Sequence, residues 1–279
     1  METVTLYRNI AKLKGIDMFY FDTKTEGRPT ILCLHGRWGR AETWVDFMKH
    51  YGKQYRVIAP DQRGHGLSSK PVSKYTTKEM AEDIIDLLHF LNIDSAILVG
   101  HSMGGAIAAY LSAVYSKYIK GVAILDKSAA DYSLDTEYKN IPLDQLRDPL
   151  TKDWPLPFSS LNEAMSFIKQ KMDSDLSYQY FMNSLVETVD GYKMMFSSQA
   201  MAANIANYEN WYHLLPGIKC PVLLIRSKSH EAVPDEDFIK MQSLVSCYLA
   251  YEMSEPDHNV HLSNKKEFYG YFDEFLKGV

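Results

Sequence analysis

Leu98-Val99-Gly100-His101-Ser102-Met103-Gly104-Gly105 joins an apolar run to a G-x-S-x-G turn and then to small, helix-compatible residues. The pattern predicts a strand, a sharp turn and a helix, with Ser102 at the apex. A serine hydroxyl is a weak nucleophile, and lifting it out of a sheet on such a turn brings it within reach of a base. Gly100 and Gly104 suit positions where a Cβ would collide with the neighbouring strand or helix. Ser102 then stands at a helix N-terminus, where the Met103 amide and the positive end of the helix dipole face any oxyanion formed above the serine. A plain Gly-Ser turn between a strand and a helix would carry the same pattern, so the assignment depends on the rest of the chain.

Two further segments bear on it. Thr30-Ile31-Leu32-Cys33-Leu34 reads as a buried strand and runs into His35-Gly36-Arg37-Trp38-Gly39. Tyr55-Arg56-Val57-Ile58-Ala59 is a second strand and runs into Pro60-Asp61-Gln62-Arg63-Gly64-His65-Gly66. Strand, HG loop, strand, DxRGHG, strand, GxSxG is an order that resembles the α/β-hydrolase superfamily over nearly the whole chain. The resemblance implies a mostly parallel, eight-stranded sheet with helices on both faces and a catalytic triad at the C-terminal ends of the strands. It also implies that the residue after His-Gly, here Arg37, supplies a second oxyanion-hole amide beside that of Met103. Trp38 takes that place if the loop is shifted by one.

The chain has 279 residues, 46% of them hydrophobic and 23% charged, enough to bury a large core. Its net charge of −5 supplies no basic field for nucleic acid or an anionic membrane. Met1-Glu2-Thr3-Val4-Thr5-Leu6-Tyr7-Arg8 lacks the basic end and apolar core of a signal peptide, and no apolar run reaches the length of a membrane span. Cys33, Cys220 and Cys247 are too few for a disulfide framework and read as reduced core residues of a cytoplasmic protein. No histidine, cysteine or carboxylate cluster has metal-ligand spacing, and no cofactor motif is present. Monomer and homodimer are equally compatible with this sequence.

Alternating strand-like and helix-like segments demand right-handed crossovers and a parallel sheet. Val4–Tyr7 and Met18–Phe21 read as an edge pair, and Glu42–Tyr51 as a helix. Thr76 with Glu79 forms a capping box before the apolar face of Met80, Ile84, Leu87, Leu88 and Leu91. Further strands are expected at Gly121–Leu125, Pro221–Arg226 and Cys247–Glu252, with a final helix carrying Phe268, Phe272 and Phe275. The interval between Leu125 and Cys220 breaks the alternation and is too long for a structureless loop. It reads as a helical cap, 127–214, with helices at Leu161–Met172 and Ser177–Val186, inserted into a core formed by 1–126 and 215–279. Its aromatics and methionines either line an apolar acyl pocket or form the cap's own core. Trp38, His101, Phe181 and Met195 are the candidate substrate contacts.

The serine needs a base, and the base a third group that fixes its tautomer. Of nine histidines, His35, His65 and His101 belong to motifs and His50, His89 and His213 to helix-like stretches, leaving His230, His258 and His261. Glu255-Pro256-Asp257-His258-Asn259-Val260-His261-Leu262 follows the last strand, where the resemblance to a GH-x-x-H-L pattern implies His258 as the base. Asp257 departs from the usual glycine and sets a carboxylate beside it. The family's acid follows the seventh strand, which here points to Glu231 in Arg226-Ser227-Lys228-Ser229-His230-Glu231-Ala232-Val233-Pro234; the alternative is Asp126, at the end of the sixth strand. A serine nucleophile excludes the aspartate-dependent dehalogenases and epoxide hydrolases. The expectation is hydrolysis of a small-to-medium carboxylic ester or lactone with an apolar acyl group, through an acyl-enzyme. A slowly turning ligand receptor on the same scaffold is the alternative.

Overall fold

A computed structural model describes residues 3–130 and 136–279. Met1 and Glu2 of the N-terminal stretch and 131–135 of the expected cap lie outside the described residues. Strands β1 (Tyr7–Lys12), β2 (Asp17–Asp22), β3 (Thr30–Leu34), β4 (Arg56–Pro60), β5 (Ala96–His101) and β6 (Ile119–Leu125) precede the long interval. A small hairpin, β7 (Leu185–Thr188) and β8 (Gly191–Met194), lies inside it, and β9 (Val222–Arg226) and β10 (Tyr248–Glu252) follow. The main sheet has eight strands in the order β1-β2-β4-β3-β5-β6-β9-β10. β1 and β2 pair antiparallel, as do β2 and β4, and every later neighbour is parallel.

Burial on both faces explains why β3, β5, β6 and β9 are nearly continuous apolar runs rather than alternating ones. The period of two still sorts their side chains. Leu32, Leu34, Leu98, Val122, Ile124 and Leu224 face the helices α2 (Thr77–Phe90) and α3 (Met103–Val114). Ile31, Cys33, Ile97, Val99, Ala123 and Leu125 face the other way. There Phe47 of α1 (Val45–Tyr51) meets an aromatic cluster from the C-terminal helix. The chain turns into α2 through the predicted cap: the Glu79 amide donates to Thr76 Oγ1 at 3.1 Å. Glu79 Oε2 reaches back one residue further than in a standard capping box, to the Tyr75 amide at 2.8 Å.

β6 pairs directly with β9, so everything between them leaves the sheet and returns to the adjacent position. This interval holds α4 (Thr136–Lys139), α5 (Leu161–Lys171), α6 (Asp175–Met182), the β7–β8 hairpin and α7 (Ser198–Ala206). After β9 come α8 (Asp235–Leu244) and, after β10, α9 (Val260–Ser263) and α10 (Lys265–Leu276), which carries Phe268, Phe272 and Phe275. The expected helix over Ser177–Val186 is wrong in its second half. α6 ends at Met182, and the chain turns into the hairpin, whose Gly191 sits at φ +124° against the Phe158 carbonyl. Asp190-Gly191 is the local signal that marks that turn. The first strand runs over Tyr7–Lys12 rather than Val4–Tyr7, and the first helix begins as a 3₁₀ turn, Ala41–Trp44. Of the three cysteines read as core, only Cys33 is buried; Cys220 and Cys247 lie just before the strands β9 and β10, and Cys247 is exposed.

α3 crosses the sheet at very close range. A Cβ on Gly104 would overlap the Leu34 carbonyl, and one on Gly100 would overlap the carbonyl of Gly104. Backbone cannot move aside as a side chain can, so Gly104→Ala is expected to destabilise the fold by about 1–3 kcal/mol in urea unfolding. A variant as stable as the parent would show that this contact does not set the sheet-to-helix distance.

Candidate active site

Ser102 links β5 to α3 with φ +52° and ψ −117°, a backbone state that a non-glycine residue adopts only when its neighbours enforce it. Its amide donates to the Leu125 carbonyl at 2.9 Å, tying the turn to the end of β6. The next residue along β6 is Asp126, fully buried and itself at φ +47°. Asp126 Oδ1 accepts from the Ser227 amide at 2.8 Å, and Oδ2 accepts from His258 Nδ1 at 2.7 Å. With Nδ1 donating, His258 Nε2 carries the free lone pair, the tautomer a general base needs. The Ser102 hydroxyl itself makes no hydrogen bond among the described residues.

Two amides stand unpaired around this turn. The Met103 and Arg37 N–H groups donate to nothing among the described residues, whereas the Trp38 N–H is taken by Met201 Sδ at 3.4 Å. That distinguishes Arg37 from Trp38 as the second candidate donor. The loop is fixed by its motif histidine: His35 Nδ1 donates to the Gly36 carbonyl at 2.8 Å, and His35 Nε2 accepts from the Gln62 amide at 3.0 Å. Asp61 holds the start of the next turn through the Ala41 amide at 2.7 Å. Arg63 pairs with Asp83 and Glu79, anchoring the second motif to α2.

The base loop is held from two sides. The buried His101 donates from Nε2 to the His258 carbonyl at 2.8 Å. Asp257, the departure from the family pattern, accepts from Ser174 Oγ at 2.6 Å and from the Asn259 amide at 2.7 Å, linking this loop to the start of α6. His261 is buried and stacked on Trp44, with ring centroids 4.3 Å apart. Burial pushes His35 down to about 4 and both His65 and His101 to about 3, with neighbouring histidines adding to the effect.

Glu231, the first choice of acid, is not beside His258. It is exposed, and its side chain makes no hydrogen bond or ion pair among the described residues. The loop after β9 is committed elsewhere: Arg226 pairs with Glu252 at 2.7 Å and Asp235 at 2.7 Å, and His230, at φ +60°, bonds Glu252 at 2.6 Å. Those bonds turn Glu231 outward, and the Ser227 amide from the same loop caps Asp126 instead.

The candidate substrate contacts are also displaced from the cleft that opens on Ser102. That cleft, about 490 Å³ including its mouth, is lined by Arg37, Thr77, Ser102, Met103, Ala106, Ile107, Lys127, Asn204, Ile205 and Tyr208. Trp38, His101, Phe181 and Met195 are not among its walls. Trp38 packs on Phe181 at 5.7 Å and donates from Nε1 to Asp148, while Met195 Sδ accepts from Arg40 at 3.0 Å. These side chains brace the HG loop from behind. Lys127, Asn204 and Tyr208 were not anticipated, since they fall outside every motif. Among the described residues no group of His, Cys, Asp and Glu could hold a metal ion, and no helix is long and apolar enough to cross a membrane.

A family profile described as the alpha/beta hydrolase fold matches residues 29–265. The chain belongs to that family. Serine hydrolase BPHL of Homo sapiens is 27% identical over 274 residues, covering 95% of this chain and 84% of the human protein. The bifunctional esterase/perhydrolase DCH of Acinetobacter calcoaceticus is 26% identical over 272 residues, covering 90% of this chain and 94% of its own. Among solved structures, an enol-lactonase from Burkholderia xenovorans superposes with a TM-score of 0.76 at 20% identity, covering 96% of this chain and all of that one. This α/β-hydrolase therefore shares its fold with that structure over nearly its whole length.

Two outcomes follow from the geometry. Asp126→Asn keeps an acceptor for the Ser227 amide but spoils the bond to His258, so covalent labelling of Ser102 by a fluorophosphonate probe should slow about 100-fold or more, while Glu231→Gln labels like the parent. The reverse ranking would contradict the arrangement. The buried histidines make the fold acid-sensitive: their folded-state values are depressed, so all are neutral in folded and unfolded chains above pH 6.5. Below it the unfolded chain gains protons the folded chain refuses, and each histidine costs up to about 1.4 kcal/mol per pH unit. The melting temperature should therefore fall between pH 6.5 and 5, above the carboxylate range; a flat profile there would contradict the burial.

Proposed function

We propose that this protein is a serine hydrolase that cleaves a small-to-medium carboxylic ester or lactone through an acyl-enzyme. The observation that carries the proposal is the 2.7 Å bond between His258 Nδ1 and the buried Asp126, the residue that follows the Leu125 carbonyl holding the strained Ser102. Ser102 Oγ attacks the carbonyl carbon as His258 Nε2 takes its proton. The amides of Met103 and Arg37 hold the oxyanion, a donor of this kind being worth about 3 kcal/mol. Collapse expels the alcohol, which leaves with the proton from His258. Water, deprotonated by the same nitrogen, then attacks the ester of Ser102 and releases the acid. Asp126 keeps the imidazole in its productive tautomer and stabilises its cation in both halves. The names of the curated relatives, serine hydrolase and esterase, support this chemistry.

The elements between β6 and β9 act as the cap, since Asn204, Ile205 and Tyr208 from that insertion close the cleft over Ser102. The three free thiols fit a reducing, cytoplasmic compartment. Steady-state hydrolysis of 4-nitrophenyl esters tests the function. Multiple turnovers are expected, with kcat reduced about 10⁶-fold in Ser102→Ala. Activity that survives Ser102→Ala would overturn the mechanism, and a parent limited to one turnover per chain would favour a receptor.

A further inference from the structure

The cleft departs from the apolar acyl pocket expected of it. Two of its side chains are cationic, Arg37 and Lys127, and none of its described walls is acidic. Arg37 is the exceptional arginine of this fold. Each of the other four that are not fully exposed holds a carboxylate: Arg40 with Glu42 at 3.2 Å, Arg56 with Asp22 at 2.7 Å, Arg63 with Glu79 at 2.5 Å and Arg226 with Glu252 at 2.7 Å. The Arg37 guanidinium, on a half-buried residue, lies over the Trp38 ring at 4.9 Å and makes no hydrogen bond or ion pair among the described residues. The charge of Asp148 acts on it without a hydrogen bond or ion pair: Asp148 Oδ2 accepts from Trp38 Nε1 at 2.9 Å and Thr151 Oγ1 at 2.7 Å, and its buried Oδ1 has no partner among the described residues. With no carboxylate hydrogen-bonded to it among the described residues, the guanidinium keeps its planar fork for one.

Lys127 follows Asp126 directly, so the loop that carries the acid also delivers a cation to the cleft; its Nζ sits 4.0 Å from the centre of the Tyr208 ring. Met103, Ala106, Ile107 and Ile205 add a short apolar wall beside these charges. We propose that the substrate is an ester carrying a carboxylate a few bonds from the scissile carbonyl, with Arg37 and Lys127 binding that carboxylate and the apolar wall covering the carbons between. This rests on the ester-hydrolase reading and narrows its substrate class.

Four esters test it: monomethyl glutarate, with the charge on the acyl side, against methyl pentanoate; and butyryloxyacetate, with the charge on the alcohol side, against propyl butanoate. Turnover by the parent is followed by proton release at low ionic strength, and binding to Ser102→Ala by calorimetry. The anionic member of at least one pair should be favoured about tenfold or more, chiefly in KM, with the preference shrinking as salt is added. Arg37→Met and Lys127→Met, which retain their backbone amides, should each cut that ratio about tenfold, the neutral ester serving as internal control. The favoured pair identifies the side that carries the charge. Equal turnover of charged and neutral esters, or a ratio that neither variant changes, overturns the carboxylate site while leaving the esterase intact. Tight carboxylate-dependent binding to Ser102→Ala without turnover by the parent overturns the esterase and keeps the site. Neither binding nor turnover overturns both.

Discussion

The structure depends on a serine held at φ +52° where a strand becomes a helix. Such a backbone costs on the order of 1–3 kcal/mol, and it persists only because the surroundings leave no alternative. Here the surroundings are backbone: Gly104 lies against the Leu34 carbonyl, Gly100 against Gly104, and the Ser102 amide is held by the Leu125 carbonyl at 2.9 Å. β3, β5, β6 and α3 are thereby locked at one point. The same lock sets Ser102 and Met103 in the wall of the cleft and leaves the Met103 amide without an acceptor among the described residues.

Strain gathers at this end of the sheet. Trp38, Ser102, Asp126 and His230, each just past the C-terminal end of a neighbouring strand, all have positive φ. Parallel strands stop together along one edge, and the chain must turn sharply there to reach its crossovers. Those turns bring together groups remote in sequence. Asp126 meets His258 across 132 residues, and the Ser227 amide from the loop after β9 completes the coordination of its carboxylate. A carboxylate buried this deeply is tolerated because each of its oxygens has a donor.

The fold was legible because its motifs are backbone requirements. Gly100, Gly104 and the buried runs of β3, β5 and β6 admit few other residues, so their spacing reveals the sheet. Ser102 and His258 stand out as candidates through the same local patterns. The carboxylate beside His258 was harder to read, since whether Glu231 or Asp126 reaches it turns on where a loop points. Arg226, Glu252, Asp235 and His230 decide that through contacts between separate strands, which spacing does not record. The walls of the cleft were harder still. Phe181 and Met195 were attractive for their size, yet an aromatic or methionine inside a cap packs equally well behind a loop as in front of it. Lys127 and Asn204 carried no motif, and only the folded chain sets them beside Ser102.

The central claim is that Ser102 becomes acylated. The direct measurement is intact-protein and peptide mass spectrometry after rapid acid quench of the protein mixed with 4-nitrophenyl acetate, with Ser102→Ala run alongside. The account predicts one acetyl group per chain, confined to the peptide carrying Ser102 and absent from Ser102→Ala. Acetylation at another residue, or product release with no acylated chain at any quench time, would contradict it.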